Sequence, residues 1–369
     1  MIDRERTMAD ARRLAAALGA LALAAPAGAQ EVVNVYNWSD YIDESVLEQF
    51  TEETGIEIVY DVFDSNEVLE TKLLAGSTGY DVVVPTGTFL QRQIQAGVFQ
   101  QLDKSKLPNL DNMWDAIEER TAKYDPGNEY SINYMWGTTG IGYNVAAVEE
   151  RLGVSEIESW DVIFDPETIA QFEDCGVHVL DAPTEMIPAA LNYLGYDGDS
   201  KDAAEIEEAA ALLETIRPHI QKFHSSEYIN ALANGDICLA VGWSGDVLQA
   251  RDRAAEADNG VVVEYAIPQE GALMWFDQMA IPTDAPNPEN AHTFLNFIMR
   301  ADVIAAASNY VYYANGNEAS KSLLNEDVIN DPAIYPSEAA TERLYVVTPY
   351  DPRTQRVVTR AWTRVKTGS

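Results

Sequence analysis

Three short segments of this chain set a tryptophan beside a carboxylate: Trp38-Ser39-Asp40-Tyr41, Trp243 with Asp246, and Trp275-Phe276-Asp277. A tyrosine pair, Tyr312-Tyr313, stands in a turn ahead of Gly316. Ring faces attract cations and cover methylenes, while carboxylates accept charge-assisted hydrogen bonds from ammonium groups. The set suits a flexible alkyl chain with ammonium ends, whose length is measured by the spacing between acids. A single tryptophan is ordinarily a packing residue, but three of them with an acid within three residues point beyond packing.

Signatures of catalysis fail on inspection. Gly242-Trp243-Ser244-Gly245 resembles a nucleophile elbow, but that motif needs a further residue before its second Gly, and Asp246 follows instead. His224 lies beside Ser225 and Ser226 in sequence, which is not how a catalytic triad assembles. His178, His219, His224 and His292 show no metal-ligand spacing. Gly137, Gly140 and Gly142 lack the order of a dinucleotide site. Asp197, Asp199 and Glu208 mimic calcium-loop positions, but Asp202 stands where that loop requires Gly. The residues therefore predict a binding protein with no catalytic residue, no metal and no cofactor.

The elements that must carry these residues alternate. Val32–Tyr36 reads as a strand and Glu44–Thr54 as a helix with Val46, Leu47 and Phe50 on one face, ended by Gly55. Ile56–Phe63 is the next strand, and Asn66–Ala75 a helix capped by Asp64 or Ser65. Tyr80–Pro85 is a buried strand followed by a helix to Gly97. This rhythm predicts an α/β fold with a mostly parallel sheet and helices on both faces. A second unit begins near Thr138, with strands at Ile141–Asn144, Val177–Leu180 and Ile237–Gly242 and helices at Ala203–Ile216 and Ser226–Asn234. Two more strands, Val261–Ile267 and Ala272–Ile281, precede helices reaching Ser308. Ligands of open α/β sheets bind beyond the carboxyl ends of strands, where the aromatic and acidic residues fall.

Leu14–Ala27 is an uncharged run behind Arg12-Arg13 and ahead of Ala27-Gly28-Ala29, the order of a secretory signal peptide over residues 1–29. About 340 further residues exceed one core, so two lobes are expected. Residues 1–29 hold four Arg, two Asp and one Glu, which leaves 20 basic and 57 acidic residues beyond them, a net charge of −37. Such a surface repels nucleic acid and attracts cations. In an oxidising compartment the only two cysteines, Cys175 and Cys238, predict a disulfide rather than a metal site. Six of the 20 basic residues lie between Arg343 and Lys366, one local basic face.

At YNWSDYI (36–42), YDVFDSNEVLE (60–70), AGST with YDVVVP (75–85), DKSKLP (103–108), TTGIGYNV (138–145) and NGDIC (234–238) the chain resembles the periplasmic polyamine-binding proteins of bacterial ABC importers, nearest to the putrescine-binding branch. The resemblance runs from about Val33 to Lys366. It implies a type II periplasmic-binding-protein fold, with two lobes joined by a hinge. Lobe one would hold 32–136 and about 272–312, and lobe two about 137–271 and 313–369. It implies ligand contacts at Trp38, Ser39, Asp40, Tyr41, Thr86, Glu185, Trp243, Asp246, Trp275, Asp277 and Tyr313. The ligand would be putrescine or spermidine, captured by a periplasmic monomer for a membrane permease; a sensor presenting polyamine to a membrane receptor is the other role compatible with it. Trp275 departs from the putrescine branch, where Phe is usual, and matches the spermidine binders.

Overall fold

The structure, a computed structural model, describes residues 31–368; the signal peptide expected over 1–29 lies outside them. Strands β1 (Val32–Trp38), β2 (Glu57–Phe63) and β3 (Val82–Val83) form a parallel ladder in the order β2-β1-β3. Helix α1 (Glu44–Thr54) starts on Asp43, whose carboxylate accepts from the Ser45 N–H, and stops at Gly55 with φ 75°. Helix α2 (Asn66–Ala75) takes Ser65 as its cap, through a bond from the Val68 N–H. Helix α3 (Gly87–Gln95) follows β3.

The middle of the sheet is one long strand, β4 (Ser131–Asn144), where only Ile141–Asn144 was expected. Further strands are β5 (Val177–Val179), β6 (Lys222–Phe223), β7 (Leu239–Trp243), β8 (Val263–Ala266) and β9 (Ala272–Ala280). Together they run in the order β2-β1-β3-β9-β4-β7-β5-β6. The outer ladders are parallel as expected, but β3-β9, β9-β4, β4-β7 and β4-β8 are antiparallel, so the sheet is mixed. Strand β4 carries glycines because neighbours crowd it: a Cβ on Gly140 would lie 2.4 Å from the Ala266 carbonyl oxygen. Those glycines break the alternating pattern from which a strand is read.

Two hydrophobic cores flank this strand. One gathers Val33, Val35, Phe50 and Leu69 with Leu273, Phe294 and Leu295. The other gathers Ile141, Trp160, Val177, Ile206 and Leu239 with Val358 and Trp362. Helices α4 (Pro183–Tyr193), α5 (Ala203–Ile216, capped by Asp202 as expected) and α6 (Ser244–Ala257) pack on the second. Helices α7 (Pro288–Ile298) and α8 (Ala301–Val311) pack on the first.

The C-terminal part divides differently from the expected 313–369 grouping. Ala314–Asn315 (β10) pairs with Met135 and Trp136 of β4, and Leu324, Val328 and Ile334 pack with Ile117, Trp136 and Phe276. Leu344–Tyr345 (β11) pairs with the start of β9. Helix α9 (Pro352–Thr367) packs on the second core through Val358, Ala361, Trp362 and Val365, joined by Tyr350 just before it, with Lys366 clasping Asp181 at 2.7 Å. Cys175 and Cys238 are bonded as expected, joining the segments that lead into β5 and β7. Among the described residues no helix is long and apolar enough to cross a membrane.

Candidate functional site

The functional side chains stand where strands give way to helices. Trp38 ends β1, and Thr86 sits at the N-cap of α3. Trp243 ends β7, so Asp246 falls in the first turn of α6. Glu185 falls in the first turn of α4, behind Pro183 at its first position. Helix N-termini favour negative charge nearby, which offsets part of the cost of burying these two carboxylates. Trp275 and Asp277 come instead from β9, and Tyr313 follows α8 and Tyr312, whose φ is 59°.

These residues close around one narrow cavity. Ten of the eleven expected contacts line it, and Asn66 is an eleventh lining residue. Asp40 is the exception. Its turn has φ 54°, and its carboxylate points to Arg253 of α6, 2.7 Å away, rather than into the cavity. Asp40 therefore spans the rim between the two walls, joined there by the Gln249 amide donating to its carbonyl at 3.1 Å.

Three carboxylates inside the cavity are more than nine-tenths buried: Asp246, Asp277 and Glu185. Asp277 accepts from Thr86 Oγ1 at 2.6 Å and from Tyr41 Oη at 2.9 Å. Asp246 accepts from Tyr313 Oη at 2.7 Å and from Tyr228 Oη at 2.8 Å. Glu185 accepts from Thr139 Oγ1 at 2.5 Å. Burial pushes each up to about 7, against hydrogen bonds that lower it. The charge of Asp246 adds to the rise at Asp277, and those of Asp277 and Glu67 add to it at Glu185. No lining residue is Lys, Arg or His. Three buried acids thus face one cavity without a counter-charge, and burying an unpaired ion costs several kcal/mol.

The aromatic walls are as closely set. Trp38 meets Trp243 edge-on with ring centroids 5.4 Å apart, and Trp275 meets Tyr313 at 5.4 Å. Two glycines let them approach. A Cβ on Gly245 would lie 2.4 Å from the Tyr313 ring, and one on Gly137 would lie 2.8 Å from the Trp275 indole. A cavity of this shape accepts an apolar chain between rings with positive charge near its acids.

Four participants had no signal as site residues. Tyr228 and Thr139 act through neutral hydroxyls, and residues of those types are common in any helix or strand. Asn66 fixes Thr86 by donating to its Oγ1 at 2.9 Å and accepting from its N–H at 3.1 Å. It lies inside the YDVFDSNEVLE stretch, as Thr139 lies inside TTGIGYNV, and those stretches were the available hints. Arg253 is 213 residues from Asp40 in sequence. The apparent calcium loop is occupied otherwise: Asp199 binds Lys201 and Thr348, and Glu208 binds Tyr196. Among the described residues no cluster of three potential metal ligands occurs.

Residues 45–336 match the family described as bacterial extracellular solute-binding protein. The chain is 52% identical over 351 residues to the putrescine-binding periplasmic protein SpuD of Pseudomonas aeruginosa (strain UCBPP-PA14), covering 95% of this chain and 96% of that one. It is 51% identical over 357 residues to the putrescine-binding periplasmic protein PotF of Escherichia coli (strain K12), covering 96% of each. Its fold superposes with a TM-score of 0.74, at 31% identity, on the spermidine/putrescine ABC transporter substrate-binding protein PotD of Streptococcus pneumoniae, covering 91% of this chain and 99% of that one.

Proposed function

Because the chain belongs to the bacterial extracellular solute-binding proteins, which carry solutes rather than transform them, we propose that it captures a linear polyamine, putrescine or spermidine, for an ABC importer. The observation that carries this reading is the trio Asp246, Asp277 and Glu185, buried between indole and phenol rings with no base among the lining residues. A polyamine brings the missing charge on a chain slim enough to lie between the rings. Each ammonium donates charge-assisted hydrogen bonds to carboxylate oxygens already oriented by Thr86, Tyr41, Tyr228, Tyr313 and Thr139. Ligand specificity then lies with Trp275, whose indole is wider than a phenyl ring and the stronger partner for a cation.

Capture and release follow from the two cores. On this reading 32–136 with 272 to about 345 move as one lobe, 137–271 with α9 as the other, and β4 near Thr138-Thr139 is the hinge. The open form exposes the acids, and closure buries the ligand. The closed form then docks on the membrane permease. The protein works as a periplasmic monomer and does not bind nucleic acid, as its acidity favours. Calorimetry and thermal shift over putrescine, cadaverine, agmatine, spermidine and spermine test the reading, since tight binding raises the melting temperature by mass action. At least one should bind with micromolar affinity or better; a panel with no shift overturns the proposal.

A further inference from the structure

Arginines of this acidic chain are mostly held by carboxylates, as Arg92 is by Glu70, Arg251 by Asp331 and Arg300 by Asp302. Helix α9 departs from that pattern. Its 16 residues carry five basic side chains and no acid. Val358, Ala361, Trp362 and Val365 turn into the second core, which leaves Arg353, Arg356 and Arg360 exposed on the opposite face. Among the described residues these three side chains form no ion pair and no hydrogen bond. They stand three and then four residues apart, so they share one face over about 10 Å of helix. The acids close by are spent on other groups. Asp351 caps the helix, accepting from the Arg353 N–H at 2.7 Å and from Thr354 Oγ1 at 2.7 Å. Glu207 and Glu214 of α5 bind Arg364, and Asp181 binds Lys366. The last turn of α9 therefore balances the neighbouring acids, and the stripe ahead of it does not. Thr359 and Thr363 turn their hydroxyls onto carbonyls one turn back, so nothing on the helix screens the guanidiniums. The far end of α9 reaches the cavity side of the second core. Trp362 and Lys366 both bind Asp181, two residues ahead of α4, whose first turn sets Glu185 in the cavity.

We propose that this face of α9 is a docking surface for an acidic segment of the membrane permease, in which carboxylates meet Arg353, Arg356 and Arg360. This rests on the importer reading above and adds the face that makes the contact. A guanidinium presents paired N–H donors that match a carboxylate, so three on one helix face read a row of acids by position as well as by charge. The charge of the rest of the chain decides what kind of partner fits. Beyond residue 29 there are 57 acids to 20 bases. A flat anionic bilayer would face the surrounding acids together with the stripe and be repelled, whereas a protein segment can touch the stripe alone. The stripe lies on the side of α9 away from the core and lines no part of the cavity, so docking and ligand capture can be altered separately.

The test combines Arg353→Gln, Arg356→Gln and Arg360→Gln in one chain and reads two quantities. Calorimetry gives the affinity of the purified protein for putrescine and for spermidine. Uptake of the tighter of the two, radiolabelled and below saturation, is measured in the source bacterium deleted of this chain and complemented with wild type or variant at equal periplasmic levels. The variant should bind polyamine within about twofold of wild type, while uptake falls about tenfold or more, as expected for three exposed charge pairs lost together. The matching triple Lys variant keeps the charge and should recover most of the uptake. Uptake by the Gln variant within twofold of wild type overturns the inference, and so does a loss of affinity as large as the loss of uptake. Co-sedimentation of wild type, but not of the Gln variant, with phosphatidylglycerol vesicles would assign the stripe to lipid and overturn it as well. A wild type that binds polyamine but restores no uptake sinks the importer reading and this inference with it. A wild type that binds neither ligand sinks the polyamine reading first.

Discussion

Asp277→Asn isolates charge from shape at the centre of the cavity. The carboxylate is 4% exposed, and both its oxygens are occupied by hydroxyl donors. An amide has the same outline, and hydroxyls can rotate to accept as well as donate, so the Thr86 and Tyr41 contacts survive in reoriented form. What disappears is the attraction for an ammonium group. At about 3 Å and an effective dielectric of about 20 that attraction is about 5 kcal/mol. Loss of one member of a buried pair typically costs about 3–5 kcal/mol. At 1.4 kcal/mol per tenfold, affinity should drop by roughly two to three and a half orders of magnitude. The assay is titration calorimetry with the tightest polyamine at pH 8, where the wild-type acid is ionised, with circular dichroism as the control for folding. A second readout is proton release near pH 6, from titrations in two buffers of different ionisation enthalpy: the variant should release about one proton fewer than wild type, because Asp277 is pushed up to about 7. Affinity within threefold of wild type, in a folded variant, would refute the assignment of Asp277 as an ammonium anchor.

Trp275→Phe should shift relative affinity towards putrescine by about 1 kcal/mol or more, a typical cation–π difference, as measured by paired titrations with spermidine; an unchanged ratio means that Trp275 does not read chain length. The three buried acids bind protons below about 7 in the empty cleft, so polyamine affinity should fall about tenfold per unit of pH below 7 for each proton that must leave, and flatten above it. The same raised values mean that the empty folded protein holds more protons than the unfolded chain between about pH 4 and 7, so these groups lower its stability as pH rises through that window, and saturating polyamine reverses the trend. Cutting the Cys175–Cys238 bond, whose ends are 63 residues apart, should cost up to roughly 4 kcal/mol, read as a lower denaturation midpoint after reduction; an unchanged midpoint would show that the bond adds nothing to stability.

The rings and acids of the cavity were legible because Trp38, Trp243, Asp246, Trp275 and Asp277 combine unusual residue types at short spacing near strand ends. Asp40 satisfied the same rule yet pairs with Arg253 at the rim, since nothing local tells which way a side chain in a left-handed turn points and Arg253 comes from a remote helix. The helices α1, α2 and α5 were readable from their caps, Asp43, Ser65 and Asp202. Strand β4 was largely hidden because the crowding that demands Gly137, Gly140 and Gly142 is a tertiary fact. The same holds for 314–335, whose short turns carry no period and whose place is set by Trp136 and Phe276.

The two cores are each assembled from stretches far apart in the gene: 33–135 with 273–313 for one, 141–266 with 358–365 for the other. No single recombination junction can therefore exchange one wall of the cavity for that of a relative while leaving the other intact. A crossover within β4 would also split the strand that both walls share, and with it the contacts of Gly137 to Trp275 and Thr139 to Glu185. Single substitutions at cavity-lining positions such as Thr86 and Trp275 leave both cores whole. Those are also the positions at which a library for altered ligand choice is best built.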